Sequence, residues 1–196
     1  AYPPGSTYKM STLISAMEHV NSSGEPILAY GETIEDKGSY DNPNLPGFSP
    51  DCLIWSSNPG VTHKSTTGPI NGSQALMVSC NYFFYELGYR QKWEMLDETA
   101  KGLGLGEPTG IEVQEEKIGW RSNPDSKKAT YGTGVNSQYS GGDRVLSAIG
   151  QAENRFTPMQ LCVYACTLAN QGTRMKATFL DRVVSADYRS LILENE

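Results

Sequence analysis

The chain opens on Ala1-Tyr2-Pro3-Pro4-Gly5-Ser6-Thr7-Tyr8-Lys9, and the reading of this stretch decides the rest. Two prolines and a glycine bar a helix from continuing upstream. Downstream, Met10, Leu13, Ile14, Met17 and Val20 recur at spacings of three and four, which predicts a helix with one apolar stripe. Ser6 and Lys9 share a face of such a helix, so the amine can reach the hydroxyl. A hydroxyl at a helix N-terminus lies among unpaired N–H groups and near the positive end of the dipole. That is a favourable place for a nucleophile that generates an oxyanion. A serine there also serves as an ordinary cap. Ser6 is, however, the only serine followed three residues later by lysine.

A length of 196 residues fits one domain, or a domain cut short. The net charge of -6 argues against nucleic acid as a partner, and no basic run suggests a phosphate or anionic-lipid surface. No apolar stretch is long enough to cross a bilayer, and no signal peptide opens the chain. The first residue falls inside a motif, so the chain reads as a fragment lacking its own N-terminus. None of the four cysteines forms a CxxC pair, and there are only two histidines. No metal site is therefore expected, and no cofactor. Cys162 and Cys166, at helical spacing, read as buried free thiols.

Asn21-Ser22-Ser23-Gly24 ends the first helix. Residues 25–72 are rich in Gly, Pro, Asn and Ser, a long connection of the kind that lines a site. Short extended pieces are expected at Ile27–Tyr30 and Cys52–Trp55. Helix resumes near Ser73, where Asn71 and Gln74 form a capping arrangement. A further helix is expected over Arg90–Lys101, with Trp93, Leu96 and Ala100 inward and Gly102 as the stop. Gly102-Leu103-Gly104-Leu105-Gly106 reads as a helix-ending turn rather than a nucleotide loop, since its spacing is not GxGxxG. Residues 107–145 read as loop. Thr157-Pro158-Met159-Gln160 is a well-defined helix start, and Asn170-Gln171-Gly172 is its stop. The tail after Ala177 reads as a hairpin.

Ser79-Cys80-Asn81 is an S-x-N triplet between two helical stretches, followed by the aromatic run Tyr82-Phe83-Phe84-Tyr85. Alone it is common loop punctuation. Joined to an upstream S-x-x-K it supplies a nucleophile, an amine that accepts its proton when uncharged, a second hydroxyl to relay protons, and an amide to hold a peptide.

On these motifs the chain resembles the penicillin-binding transpeptidases of bacterial cell-wall synthesis, whose signature combines S-x-x-K, S-x-N and K-[ST]-G. Tyr2–Lys9 is similar to the family's PGSTFK segment, and Ala75–Tyr85 to the surroundings of its second motif in monofunctional class B members. Gly104–Glu112, Ile149–Gln151 and Thr157–Gly172 are similar as well, in the family's order. The resemblance implies Ser6 as the acyl-forming nucleophile, with its backbone N–H in the oxyanion hole, and Lys9 as its base. Ser79 would be the proton relay and Asn81 the hydrogen-bonding partner of the stem peptide. It implies a D,D-transpeptidase that cross-links peptidoglycan stem peptides through an acyl-serine intermediate and is acylated by β-lactam antibiotics. Cell-division or elongation proteins are its implied partners, and the extracytoplasmic face of the cell membrane its location, with the anchor outside this chain.

No K-[ST]-G follows. Lys117-Ile118-Gly119 has the wrong middle residue, and Lys64-Ser65-Thr66-Thr67-Gly68 precedes the second motif. The expected fold is therefore mainly α with short β pieces. It would be the nucleophile helix and helical lobe of the α+β transpeptidase-like fold over residues 1–196, with the central sheet largely absent. The missing motif implies that this piece is inactive alone. The stripe on the first helix would lose sheet contacts, so the piece is expected to self-associate through that helix or to rearrange it. Two alternatives stand beside the transpeptidase. One is a catalytically dead scaffold module. The other is a β-lactamase or β-lactam sensor, although no E-x-x-L-N string is present.

Overall fold

The computed structural model describes residues 1–63 and 68–194. The Lys64–Gly68 stretch therefore falls, through 64–67, outside the described residues. A 3₁₀ turn over Gly5–Tyr8 leads directly into α1, Lys9–Glu18. Then follow β1 (Thr33–Ile34), α2 (Leu53–Ser57), β2 (Ile70–Asn71), α3 (Gly72–Met77), α4 (Asn81–Arg90) and α5 (Trp93–Gly102). After these come α6 (Pro124–Tyr131), a 3₁₀ turn at Val135–Ser137, α7 (Gly141–Ser147), α8 (Pro158–Ala169), β3 (Arg182–Val184) and β4 (Leu191–Glu194). The fold is mainly helical. Its sheets are two antiparallel pairs, β1 with β2 (Thr33 opposite Asn71) and β3 with β4 (Val183 opposite Leu193). No large central sheet is present among the described residues.

The aromatic run is the floor of the larger core. Tyr82, Phe83, Phe84, Tyr85 and Leu87 of α4 are all buried, packed with Tyr40, Ile70, Val145 and Ile149. The close crossing of α4 over α7 needs Gly88, where a Cβ would meet the Ala148 methyl at 2.7 Å. A second core gathers Tyr8, Ala100, Leu103, Leu105, Phe156 and Tyr164, with Tyr8 and Phe156 stacked at 6.1 Å.

The first helix lies between these cores, and its orientation is not the one that apolar periodicity alone selects. Its buried residues are Lys9, Ser11, Thr12, Ser15 and Ala16. Leu13 and Ile14 are partly buried, whereas Met10, Met17 and Val20 remain 36%, 46% and 49% exposed. Small side chains let α1 approach its neighbours closely, and Thr12 Oγ1 donates to the Ala148 carbonyl at 2.8 Å.

Four expectations change. Cys52–Trp55 is not extended: Cys52 is the N-cap of α2. Ile27–Tyr30 forms no strand, and its backbone instead runs under the end of α1, with Leu28 N–H donating to the Ala16 carbonyl at 2.9 Å. Within 107–145, α6 and α7 are each opened by a capping box, Asn123 with Ser126 and Ser140 with Asp143. Helix α6 buries only Ser126 and is held by Lys127, which pairs with Asp143 at 2.6 Å and Glu153 at 3.3 Å. A helix fastened by ion pairs carries no apolar period to read. Cys162 and Cys166 are free thiols but exposed, because α8 turns Val163, Tyr164 and Thr167 inward.

Helices α3, α5 and α8 form as expected, except that α5 begins at Trp93 and Arg90 instead closes α4. Helix α3 carries the Asn71–Gln74 capping box and α8 the Thr157–Gln160 box. Helix α5 buries Leu96 and Ala100 while Trp93 is half-buried, and the glycines at 104 and 106 are in a turn. The hairpin forms, with Leu191, Ile192 and Leu193 at least half exposed.

Candidate active site

Ser6 sits in the 3₁₀ turn that opens α1, and Lys9 is the first residue of α1 proper. Several contacts hold this segment. Tyr2 pairs with Phe156 through two backbone hydrogen bonds of 2.8 and 2.9 Å, and Gly5 N–H donates to the Gly150 carbonyl at 3.1 Å. Gly150 has φ +71°, and a Cβ there would lie 2.3 Å from the Gly5 carbonyl oxygen. Only glycine allows the Ser6 segment to lie that close. Tyr164 closes the set: its hydroxyl donates to the Thr7 carbonyl at 3.1 Å and accepts from Ser11 N–H at 3.1 Å.

The second motif is the joint between α3 and α4. Ser79 N–H donates to the Leu76 carbonyl at 3.1 Å and Cys80 N–H to the Ala75 carbonyl at 2.9 Å. That pair of bonds is a Schellman helix end, with Ser79 at the left-handed position that glycine usually occupies. Its φ is +52°. Cys80 then caps α4, its Sγ accepting from Phe83 N–H at 3.4 Å. A serine in a glycine position carries backbone strain, and here it presents a hydroxyl toward α1.

These two segments, 70 or more residues apart, meet at four side chains. Lys9 Nζ donates to the Ser79 carbonyl at 2.8 Å, to Ser79 Oγ at 3.0 Å and to Asn81 Oδ1 at 2.6 Å. Ser79 Oγ donates in turn to Ser6 Oγ at 3.0 Å. All four residues picked out in the sequence are thus brought together. Among the described residues Lys9 makes no hydrogen bond to Ser6, and the connection runs through Ser79. Lys9 is almost fully buried, with its ammonium 5.5 Å from the Phe84 ring centroid. Burial lowers its pKa to about 8, against a smaller opposing effect of the nearby thiols of Cys80 and Cys52.

Beneath the second motif lies a group that motif spacing does not reveal. Asp36, Cys52, His63 and Cys80 are all buried, with ligand-capable atoms within 4.8 Å of one another. Asp36 Oδ2 lies 2.7 Å from His63 Nδ1, Cys52 Sγ 3.7 Å from His63 Nδ1, and Cys52 Sγ 3.9 Å from Cys80 Sγ. Two thiols, an imidazole and a carboxylate form a donor set that tetrahedral zinc takes. The expectation of no metal site rested on the absence of paired-cysteine spacing. Here the fold draws the donors from four separate segments instead, so no local pattern marks them. Gly150 and Tyr164 were likewise unmarked, since their roles exist only across the N-terminal segment.

A serine joined through a second hydroxyl to a buried, easily neutralised lysine, on a helical lobe, is an arrangement chemically suited to serine acyl transfer. The family model for the penicillin-binding protein transpeptidase domain matches residues 1–194, and the chain belongs to that family. It is 28% identical over 174 residues to the peptidoglycan D,D-transpeptidase MrdA of Acinetobacter baumannii, covering 89% of this chain and 23% of that protein. It is 26% identical over 190 residues to penicillin-binding protein 2B of Streptococcus pneumoniae, covering 93% and 25%. The chain spans about a quarter of the length of these relatives. Among solved structures, penicillin-binding protein PBP2 of Helicobacter pylori in complex with MreC superposes with a TM-score of 0.75 at 23% identity, over 97% of this chain and 30% of that one. The S. pneumoniae PBP-2B structure gives 0.72 at 25% identity, over 100% and 30%. The mainly helical architecture is thus that of the family's transpeptidase fold, reduced to the part around the serine. No described helix is long and apolar enough to cross a membrane.

Proposed function

We propose that this chain is the nucleophile-bearing part of a peptidoglycan D,D-transpeptidase. The observation that carries the reading is the Ser6–Ser79–Lys9 hydrogen-bond chain. When Lys9 loses its proton it can accept the Ser79 hydroxyl proton while Ser79 takes that of Ser6. Ser6 Oγ then attacks the carbonyl of a D-Ala-D-Ala bond, forming an acyl ester. The departing D-alanine amine recovers the proton through Ser79, and an amine of a neighbouring stem completes the cross-link. Asn81 is placed by Lys9 to accept or donate at the stem peptide's backbone. A β-lactam carbonyl would acylate the same oxygen.

The relatives support this reading at the level of the family. They also support a place on the extracytoplasmic side of the membrane and, from the H. pylori complex, a protein partner of the MreC kind. Residues 1–196 supply the nucleophile helix and helical lobe; the isolated piece is expected to be inactive, since it contains no K-[ST]-G.

Labelling of the full-length protein by a fluorescent penicillin tests the assignment. Covalent label on Ser6, lost in Ser6→Ala, is the expected result. A folded full-length protein that does not label would favour the scaffold alternative, and rapid turnover of a chromogenic cephalosporin would favour a β-lactamase.

A further inference from the structure

Trp120 is the one exposed tryptophan of the three, with 48% of its surface open. Its backbone is pinned by two hydrogen bonds to Arg155, of 2.6 and 2.9 Å. Gly119 allows this close pairing, because a Cβ there would lie 2.0 Å from the Arg155 carbonyl oxygen. Phe156, next along the chain, pairs in turn with Tyr2, four residues before Ser6. The indole therefore stands at a fixed place on the ladder that holds the Ser6 segment.

Beside the indole is a cavity of about 280 Å³, walled also by Gly106, Gly119, Arg121, Asp125 and Ala129. Arg121 offers no free charge to it. Its guanidinium is 3.0 Å from Asp97 and 2.8 Å from Glu107, and it also donates to the Leu105 carbonyl. Two carboxylates around one guanidinium leave nothing for an anionic ligand. Asp125 is exposed, and among the described residues neither its carboxylate nor the Trp120 indole N–H has a partner. The open groups are thus an aromatic face, a methyl group, one donor and one charged acceptor. A neutral ring with C–H groups on one face and hydroxyls at its edge matches them. Its C–H groups lie against the negative face of the indole, and its hydroxyls donate to the carboxylate. The volume is at the small end of the roughly 300–1,000 Å³ of ligand pockets, so it takes a single ring and not an extended peptide.

We propose that this pocket binds a sugar ring of the peptidoglycan glycan strand, with Trp120 stacked on the ring and Asp125 accepting from its hydroxyls. This rests on the transpeptidase reading above and adds a recognition element to it. Such a substrate carries its D-Ala-D-Ala bond and its sugar at opposite ends of one stem peptide. Neighbouring strands lie about 4.8 Å apart, so two steps of the ladder put the Trp120 backbone about 10 Å from Tyr2. An extended peptide covers about 3.3–3.6 Å per residue, so a stem of a few residues spans such a separation. One substrate can therefore present its carbonyl at Ser6 and its sugar at Trp120, and the pocket favours stems joined to glycan over free peptides.

The full-length protein is labelled with fluorescent penicillin against either of two competitors, a disaccharide-pentapeptide or the same pentapeptide N-acetylated and without sugar. The readout is the ratio of the two competitor concentrations that halve labelling, which does not depend on a variant's own labelling rate. The parent should favour the sugar-bearing competitor by roughly fivefold or more, the scale of one good aromatic contact. Trp120→Ala should bring the ratio near unity. Ala129→Arg, at an exposed position of α6, fills the pocket without touching the ladder and should do the same. It decides the case if Trp120→Ala does not fold. A parent ratio near unity overturns the inference and leaves the transpeptidase reading standing. So does a preference that survives Trp120→Ala or Ala129→Arg, since the sugar is then held elsewhere. If the parent does not label at all, the transpeptidase reading itself fails and this inference with it.

Discussion

Lys9 Nζ is 3.0 Å from Ser79 Oγ, and Ser79 Oγ spends its own hydrogen on Ser6. Lys9 and Ser6 are therefore linked through a hydroxyl on another helix joint, although they stand three residues apart in the chain. Removing Ser79 should then cost more than a lost side contact. Ser79→Ala keeps Ser6 and Lys9 in place, and acylation should fall by roughly 10²–10⁴, the range of a lost general acid–base contribution. A Ser79→Ala protein that acylates at the parent rate would show that Lys9 reaches Ser6 directly.

The φ of +52° at Ser79 separates its chemical role from its structural one. Ser79→Gly relieves left-handed strain while losing the hydroxyl, so stability should stay within about 1 kcal/mol of the parent while acylation falls as in Ser79→Ala. Ser79→Val puts a β-branched side chain at the same backbone angle, and should destabilise the fold by about 2 kcal/mol or more. Denaturant melts of the three variants check the order.

Lys9 carries a pH prediction. Its folded pKa is about 8 against an ordinary 10.5, chiefly through burial. The acylation rate should rise with pH as Lys9 loses its proton near pH 8 and level off above it. The sign for stability follows from proton binding. Between about 8 and 10.5 the unfolded chain binds a proton that the folded chain does not, so stability gains from this group as pH rises across that window. Below about 8 the buried ammonium is present in full, and its cost with it. A pH–rate profile of penicillin acylation checks the first statement. Lys9→Arg, which stays charged, should show neither the rise nor measurable acylation.

Gly150 holds the Ser6 segment by leaving room for Gly5. Gly150→Ala introduces a Cβ 2.3 Å from the Gly5 carbonyl oxygen at a backbone φ of +71°. The expected loss is about 2–3 kcal/mol of stability, with acylation impaired even at temperatures where the variant is folded. Parent-like acylation in the folded variant would mean that the Ser6 turn does not depend on this contact.

Tyr164 tests the same anchoring from α8. Tyr164→Phe deletes two hydrogen bonds, to the Thr7 carbonyl and from Ser11 N–H. It leaves the ring packed in the second core. The loss should be about 1–3 kcal/mol, read as a lowered thermal midpoint.

The sequence by itself determined the local events. Prolines and glycine before Ser6, the Asn71–Gln74 and Thr157–Gln160 capping boxes, and Gly102 as a stop all act within a turn of chain, and each is where its residue types place it. The four residues of the candidate site were legible because two short motifs in a set order carry them. Tertiary structure alone decided the rest. It turned the Ser11, Thr12, Ser15 and Ala16 face of α1 inward rather than the apolar stripe, because close helix packing favours small side chains. It built α6 on ion pairs, which leave no hydrophobic period. It brought Asp36, Cys52, His63 and Cys80 within 4.8 Å from four separate segments, and it joined Lys9 to Ser6 through Ser79. Contacts between residues distant in the chain are set by how helices pack, and no spacing within either segment records them.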